Sequence, residues 1–271
     1  MSNRYPPVLR WVYMADAEPI NWEENGIAKG LEVEIVEQVA KSLGIRVEHL
    51  FYPWARAQMM VASGQADGMI TTPTPTRFQY AVFGREMVIP EYCNVFVRKG
   101  NDRIINEVSR LDGLEDLRHY ELLDFVGNGW TEAFMSWGYT IHKVPKLEQL
   151  PSMLAAGRHD LVVSSSSWMN WWINKKNLQN QIVEIETDWP NTRIHFVAML
   201  SRKSPWLQTG LLRAIDEEVA RMKRTGQWQA LLRKYKNPHG FGKPFRSHLD
   251  AAYEAQHRFY TEYDQYPAWV R

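Results

Sequence analysis

Thr71-Thr72-Pro73-Thr74-Pro75-Thr76-Arg77 concentrates hydroxyls and one guanidinium just after the apolar pair Met69-Ile70. Each Thr hydroxyl can donate and accept, and a guanidinium is a planar fork that matches a carboxylate. Pro73 and Pro75 fix φ and push Thr72 and Thr74 to extended backbone, which predicts a rigid strand end with no helix in it. Such a strand end suits a small carboxylate or another planar anion; a solvated Arg in a surface turn is the plain alternative. A second hydroxyl cluster, Ser164 to Ser167, fits either an anion at a helix start or simple N-capping. Twelve Trp in 271 residues suggest aromatic walls around a ligand in addition to core packing. Trp54, beside Pro53, either walls a ligand or staples its own helix. Trp168, Trp171 and Trp172 stand at the i, i+3, i+4 spacing of a packed face.

Composition narrows the chemistry. Lys plus Arg total 32 against 31 for Asp plus Glu, so no global field draws nucleic acid or an anionic membrane. The single cysteine, Cys93, rules out an internal disulfide and any cysteine-based metal cluster. The eight histidines show no paired ligand spacing; His49, His119, His142 and His159 are expected to be structural or solvated, and neither metal nor cofactor is expected. No apolar run approaches the ~20 residues that span a bilayer.

The elements that would position these residues alternate. Val8–Tyr13 reads as a strand, broken by a loop carrying Asp16 and Glu18 before Pro19. A helix follows from Gly30, with Leu31, Ile35, Val36, Val39 and Leu43 on one stripe and Gly44 as its stop. Ile45–Phe51 is a strand, Pro53 opens a helix to Ser63-Gly64, and Asp67–Thr71 is a third strand. This β-α-β-α-β order predicts a parallel open sheet whose ligands lie beyond the strand C-termini, where residues 15–22, 52–56 and 71–77 converge. A second α/β unit starts after Val95–Arg98. Its strands are 122–126, 139–144, 160–164 and 182–185. Its helices are 147–156 and 166–174, plus a turn at Gly127–Glu132 feeding a helix capped by Thr131. A long helix over 205–225 and a short one over 227–235 close the pattern. The expected fold is therefore α/β with two lobes, residues 1–93 plus 199–271 and residues 94–198, joined by extended crossings near 92–98 and 195–200. Residues 247–263 are expected to add a docked helix.

The order and spacing of these segments over roughly residues 8–236 resemble the type II periplasmic solute-binding proteins. These are the bacterial extracellular solute-binding proteins of family 3, which include amino-acid-binding components of ABC importers. The resemblance rests on Gly30-Leu-Glu-Val-Glu-Ile35, Pro53-Trp54-Ala-Arg56, Ser63-Gly64-Gln-Ala-Asp67-Gly68, Thr74-Pro-Thr-Arg77, Ala156-Gly157-Arg-His-Asp160 and Ala214–Tyr235. It implies a two-lobed clamshell with two hinge strands that closes over its ligand. It also implies that Arg77 holds a ligand carboxylate, that Thr72 joins that cradle with Thr74, and that Gly129-Trp130-Thr131 contributes from the second lobe. Two departures stand out. The family's ammonium-pairing Asp falls on Ser165, and no Asp or Glu lies between Leu161 and Val183. The usual aromatic before the first-loop Pro is replaced by Ala17 and Glu18. The ligand is therefore expected to be anionic or neutral at the Ser165 end, unless its cation reaches Glu18 or Asp16.

The resulting reading is a non-enzymatic binding protein, monomeric, working outside the cytoplasm with a membrane permease or receptor. Met1–Arg10 carries no signal-peptide core, so that location implies a signal already removed. Two other functions stay open. One is an enzyme on the same fold, a cyclohexadienyl-dehydratase-like lyase, which needs a general acid such as Glu18, Asp16 or Glu132. The other is the detached sensor domain of a receptor.

Overall fold

The computed structural model describes residues 6–236 except 136 and 190. The expected helix at 247–263 lies outside the described residues. The chain divides into two compact units. Unit 1 runs up to Pro90 and resumes at His195, and unit 2 is Glu91–Ile194. Both changeovers fall earlier than the expected 93–94 and 198–199, so Glu91 belongs to unit 2.

In unit 1 the strands are β1 (Leu9–Met14), β2 (Trp22–Glu24), β3 (Ile27–Lys29), β4 (Val47–Tyr52) and β5 (Gly68–Thr71). Strand β1 lies between β4 and β5, parallel to both. Its Leu9, Trp11, Val12, Tyr13 and Met14 are all buried, the near-continuous apolar run of a strand covered on both faces. Strands β2 and β3 form a small separate hairpin that alternation did not reveal. Helix α1 (Leu31–Leu43) buries Leu31, Val33, Ile35, Val36, Val39 and Ala40. Gly30 starts it at φ 123°, where a Cβ would stand 2.3 Å from the Ile20 carbonyl oxygen, so only glycine fits. Helix α2 (Trp54–Ser63) follows β4, and α3 (Pro75–Phe78) follows β5.

Two helix expectations need correction. The segment 71–77 is not wholly extended. Thr74 is extended, but its hydroxyl caps α3 and Pro75 takes the first helical position, where a missing N–H costs nothing. The helix expected over 205–225 is two pieces. A 3-10 turn over Pro205–Thr209 ends at Gly210, left-handed at φ 77°, before the later helix Leu211–Arg224 begins.

The long strand β6 (Ala81–Arg98) runs from unit 1 into unit 2. Unit 2 then adds α4 (Asp102–Val108), β7 (Glu121–Phe125), α5 (Gly129–Phe134), β8 (Thr140–Val144), α6 (Leu150–Ala155), β9 (Leu161–Ser165), α7 (Ser166–Lys175) and β10 (Ile182–Ile185). Strand β6 is antiparallel to β9 and β10, while β7 is parallel to β9 and β8. Its core joins Val95, Val97, Ile104, Leu117, Leu122, Leu161 and Trp130.

Strand β11 (Arg193–Ser201) returns the chain to unit 1 and pairs antiparallel with β5. Helices α8 (Leu211–Arg224) and α9 (Gln227–Lys236) then pin the first half of β6. Asp216 accepts the backbone N–H groups of Arg85 and Glu86 at 2.8 and 3.0 Å. Lys223 pairs with Glu86, and the Trp228 indole N–H donates to the Val88 carbonyl at 2.7 Å.

Candidate functional site

Unit 1 gathers its candidate residues at the C-terminal end of β5. Arg77, on α3, is only 3% exposed. Gln58 on α2 accepts from its Nε at 3.1 Å and its Nη2 at 2.9 Å, and the Thr72 carbonyl accepts from Nη1 at 2.7 Å. The guanidinium also faces the Trp54 ring, 5.4 Å from its centroid, within cation–π range. Trp54 is half-buried against the Val12, Val61 and Phe78 cluster, so it both packs its helix and backs Arg77. Thr74 accepts from the Arg77 backbone N–H at 3.4 Å, and Thr72 keeps a buried hydroxyl without a hydrogen-bond partner. Tyr80 lies against Arg77 as well; burial raises its pKa, and the neighbouring guanidinium opposes that. Gln58 and Tyr80 escaped sequence reading because neither belongs to a motif. Glu18 sits half-buried in a different loop, after β1.

Beneath that loop, unit 1 buries a carboxylate. Glu32 accepts from Asn21 Nδ2 at 2.6 Å, and its Oε1 has no hydrogen-bond partner. Burial pushes its pKa up to about 8, with Asn21 the largest opposing influence. It is therefore mostly protonated near neutrality, which removes the cost of an isolated buried charge.

Unit 2 assigns its candidates differently from the sequence expectation. Trp130 is 4% exposed and packs in the core, its indole N–H donating to the Asn191 carbonyl at 2.9 Å. Thr131 lies inside α5 instead of capping it; Asn128 is the residue before the helix, and its amide donates to Asp124 at 3.0 Å. Asp124, at the end of β7, has its pKa pushed up by burial to about 6, with Asn128 and then Thr131 among the groups opposing the rise.

Ser165 does cap α7, accepting from the Trp168 N–H at 3.4 Å, and its hydroxyl lies 3.0 Å from that of Ser167. Ser167 donates to Oε2 of Glu91, whose Oε1 accepts the Tyr92 N–H at 3.0 Å. Glu91 is 1% exposed, and burial raises its pKa to about 7 against the hydrogen bonds from Ser167, Tyr92 and Ser165. A carboxylate thus sits with Ser165 inside unit 2. The expectation of no such group is corrected here. Glu91 comes from a strand 76 residues away in sequence from Ser167, and the expected boundary had assigned it to the other lobe. Beside it, Glu184 accepts from Asn94, Ser166 and Asn170 at 2.7, 2.5 and 2.8 Å. Of the four serines, Ser165 caps and Ser166 and Ser167 each serve a carboxylate. Cys93 is buried, and burial lifts its thiol pKa well above the usual range, as expected of an inert apolar filler.

A comparison with curated protein sequences gave no match. Solved structures share the fold. A histidine kinase sensor domain similar to periplasmic binding proteins has TM-score 0.72 at 20% identity, covering 85% of this chain and 96% of that one. The substrate-binding protein of an amino acid ABC transporter gives 0.68 at 18%, covering 85% and 100%. An ancestral amino-acid-binding protein, a precursor of cyclohexadienyl dehydratase, gives 0.66 at 20%, covering 84% and 95%. The model of the bacterial extracellular solute-binding proteins, family 3, matches residues 9–238, and the chain belongs to that family.

Proposed function

We propose that this chain is an extracytoplasmic binding protein for a small polar ligand bearing a carboxylate, serving import or sensing. The observation that carries it is the buried Arg77 guanidinium, set by Gln58, the Thr72 carbonyl and Trp54 at the end of β5. Gln58 occupies its Nε–Nη2 edge and the Thr72 carbonyl takes Nη1, which fixes the plane of the fork that a ligand carboxylate would meet. Such a charge-assisted fork is among the stronger polar contacts available. Amino-acid binding by the family's solved relatives agrees with a carboxylate. Among the described residues no helix is long and apolar enough to cross a membrane.

The test is Arg77→Ala with calorimetry against a panel of amino acids, keto acids and betaines. Loss of the contact, with the ligand anion left buried, should cost on the order of 2–5 kcal/mol. That corresponds to a ~30- to several-thousand-fold weaker Kd. Unchanged affinity in a folded variant refutes the clamp.

A second reading is favoured by Glu91. A buried carboxyl group whose pKa is raised by burial to about 7 is suited to general acid chemistry at neutral pH. A lyase reading then requires product release from a cyclohexadienyl-type substrate that Glu91→Gln abolishes. Binding without turnover by the unaltered protein removes this reading.

A further inference from the structure

We propose that Glu121, His142 and His159 form a surface site on unit 2 for one divalent transition-metal ion, zinc being the best match to its donors. One ligand atom from each residue lies within 4.8 Å of the other two. The sheet register produces the cluster. Strands β7 and β8 pair in parallel with Glu121 opposite Thr140 and Leu123 opposite His142, so Glu121 and His142 leave the same face of neighbouring strands. His159 comes from the turn before β9, on the other side of β7. That turn is pinned to the start of β7, because Asp160 donates its N–H to the Glu121 carbonyl at 2.9 Å and accepts the Glu121 N–H at 2.8 Å. The two imidazole rings lie 4.7 Å apart, centroid to centroid, at 35°.

The donor set is two imidazoles and one carboxylate, with water left to complete the shell, an arrangement zinc accepts. Metal–donor bonds of about 2.0–2.2 Å in a tetrahedron put donors roughly 3.4 Å apart. Closing from 4.8 Å to that spacing is within side-chain rotation for two exposed residues and one half-buried one. His159 supplies an independent sign. Its Nδ1 is buried and has no hydrogen-bond partner, a cost that a cation reached by this nitrogen would offset. The sequence pattern hid this site because the three residues come from three separate segments. The proposal departs from the expectation that His142 and His159 are structural or solvated.

A bound ion would tie β7, β8 and the turn before β9 together, independently of any solute bound elsewhere. The test uses the full chain without a polyhistidine tag, stripped with chelator and titrated with zinc chloride by calorimetry and thermal melting. One equivalent should bind with a Kd of about 10 μM or tighter, and excess zinc should raise the melting midpoint by several degrees. His142→Gln and His159→Gln should each weaken binding at least about tenfold, and Glu121→Gln should weaken it less. Both histidine variants should melt like the unaltered chain in chelator; should His159→Gln fail to fold, the exposed His142→Gln decides. The absence of a saturable site, or a site whose affinity His142→Gln leaves unchanged, overturns the proposal.

Discussion

Glu91→Gln is the most informative single substitution. Glu91 is fully buried, its carboxyl group satisfied by the Tyr92 N–H and Ser167, and its pKa is about 7. In the unfolded chain a glutamate titrates near ~4.3. The folded state therefore holds a proton that the unfolded state has lost between about pH 4.5 and 7. The proton-rich state is the native one in that window, so stability falls as pH rises through it and levels off above the folded value. The shift of two to three units corresponds to about 3 kcal/mol of stability present at pH 4.5 and absent at pH 8. A glutamine amide reproduces the protonated carboxyl: its oxygen can accept from Tyr92 and its NH2 can reach Ser167. The variant should match the original protein at pH 4.5 and exceed it at pH 8 by about 3 kcal/mol, or roughly 6–12 °C in midpoint. Urea denaturation of both proteins from pH 4.5 to 8 reads the difference directly. Glu32 and Asp124 contribute slopes of the same sign, but equally in both proteins, so they cancel. Parallel profiles across the window would show that burial does not control Glu91.

Other outcomes follow from the same contacts. Ser165→Asp would set a second carboxylate against Glu91, so the midpoint should fall further between pH 5 and pH 8 than it does in the unaltered protein; an equal fall would mean the two groups do not interact. Trp228→Phe leaves the buried Val88 carbonyl without its donor and should cost about 1–3 kcal/mol in urea denaturation. Gly30→Ala forces a Cβ against the Ile20 carbonyl at a positive φ, and its midpoint should fall by more than that of an Ala placed at exposed Gly100. If ligand capture involves closure of a clamshell, saturating ligand should lower the radius of gyration in small-angle scattering; identical curves count against it.

The first half of unit 1 was readable because its signals are local. The α1 stripe, the glycine at each end of that helix and the proline-marked end of β5 each lie within a few residues. What was not legible depends on distant partners. The eighteen-residue strand β6 contains Pro90 and shows weak alternation, so only its last residues read as extended. Gly210 splits an otherwise continuous apolar stripe, a choice made by one backbone angle. In the candidate site, Arg77 and Thr72 stood out by motif, whereas Gln58 and Tyr80 carry none. Trp130 was expected to contribute from the second lobe, and no sequence pattern shows that its ring also belongs to the buried cluster of unit 2. Glu91 was overlooked for a different reason: a boundary set three residues late placed it in the wrong unit.

The discontinuity of unit 1 has a consequence for the nascent chain. Strand β5 ends at Thr71, but its antiparallel neighbour β11 begins only at Arg193. At synthesis rates of about 5–20 residues per second, the intervening stretch takes roughly 6–24 s to appear. During that interval Glu91–Ile194, the compact second unit, emerges as one contiguous stretch. The apolar edge of Gly68-Met69-Ile70-Thr71 meanwhile waits unpaired, an open template for strands of other chains. A holdase that occupies this edge until residues 195–201 leave the ribosome would raise the yield of native protein without touching the finished molecule.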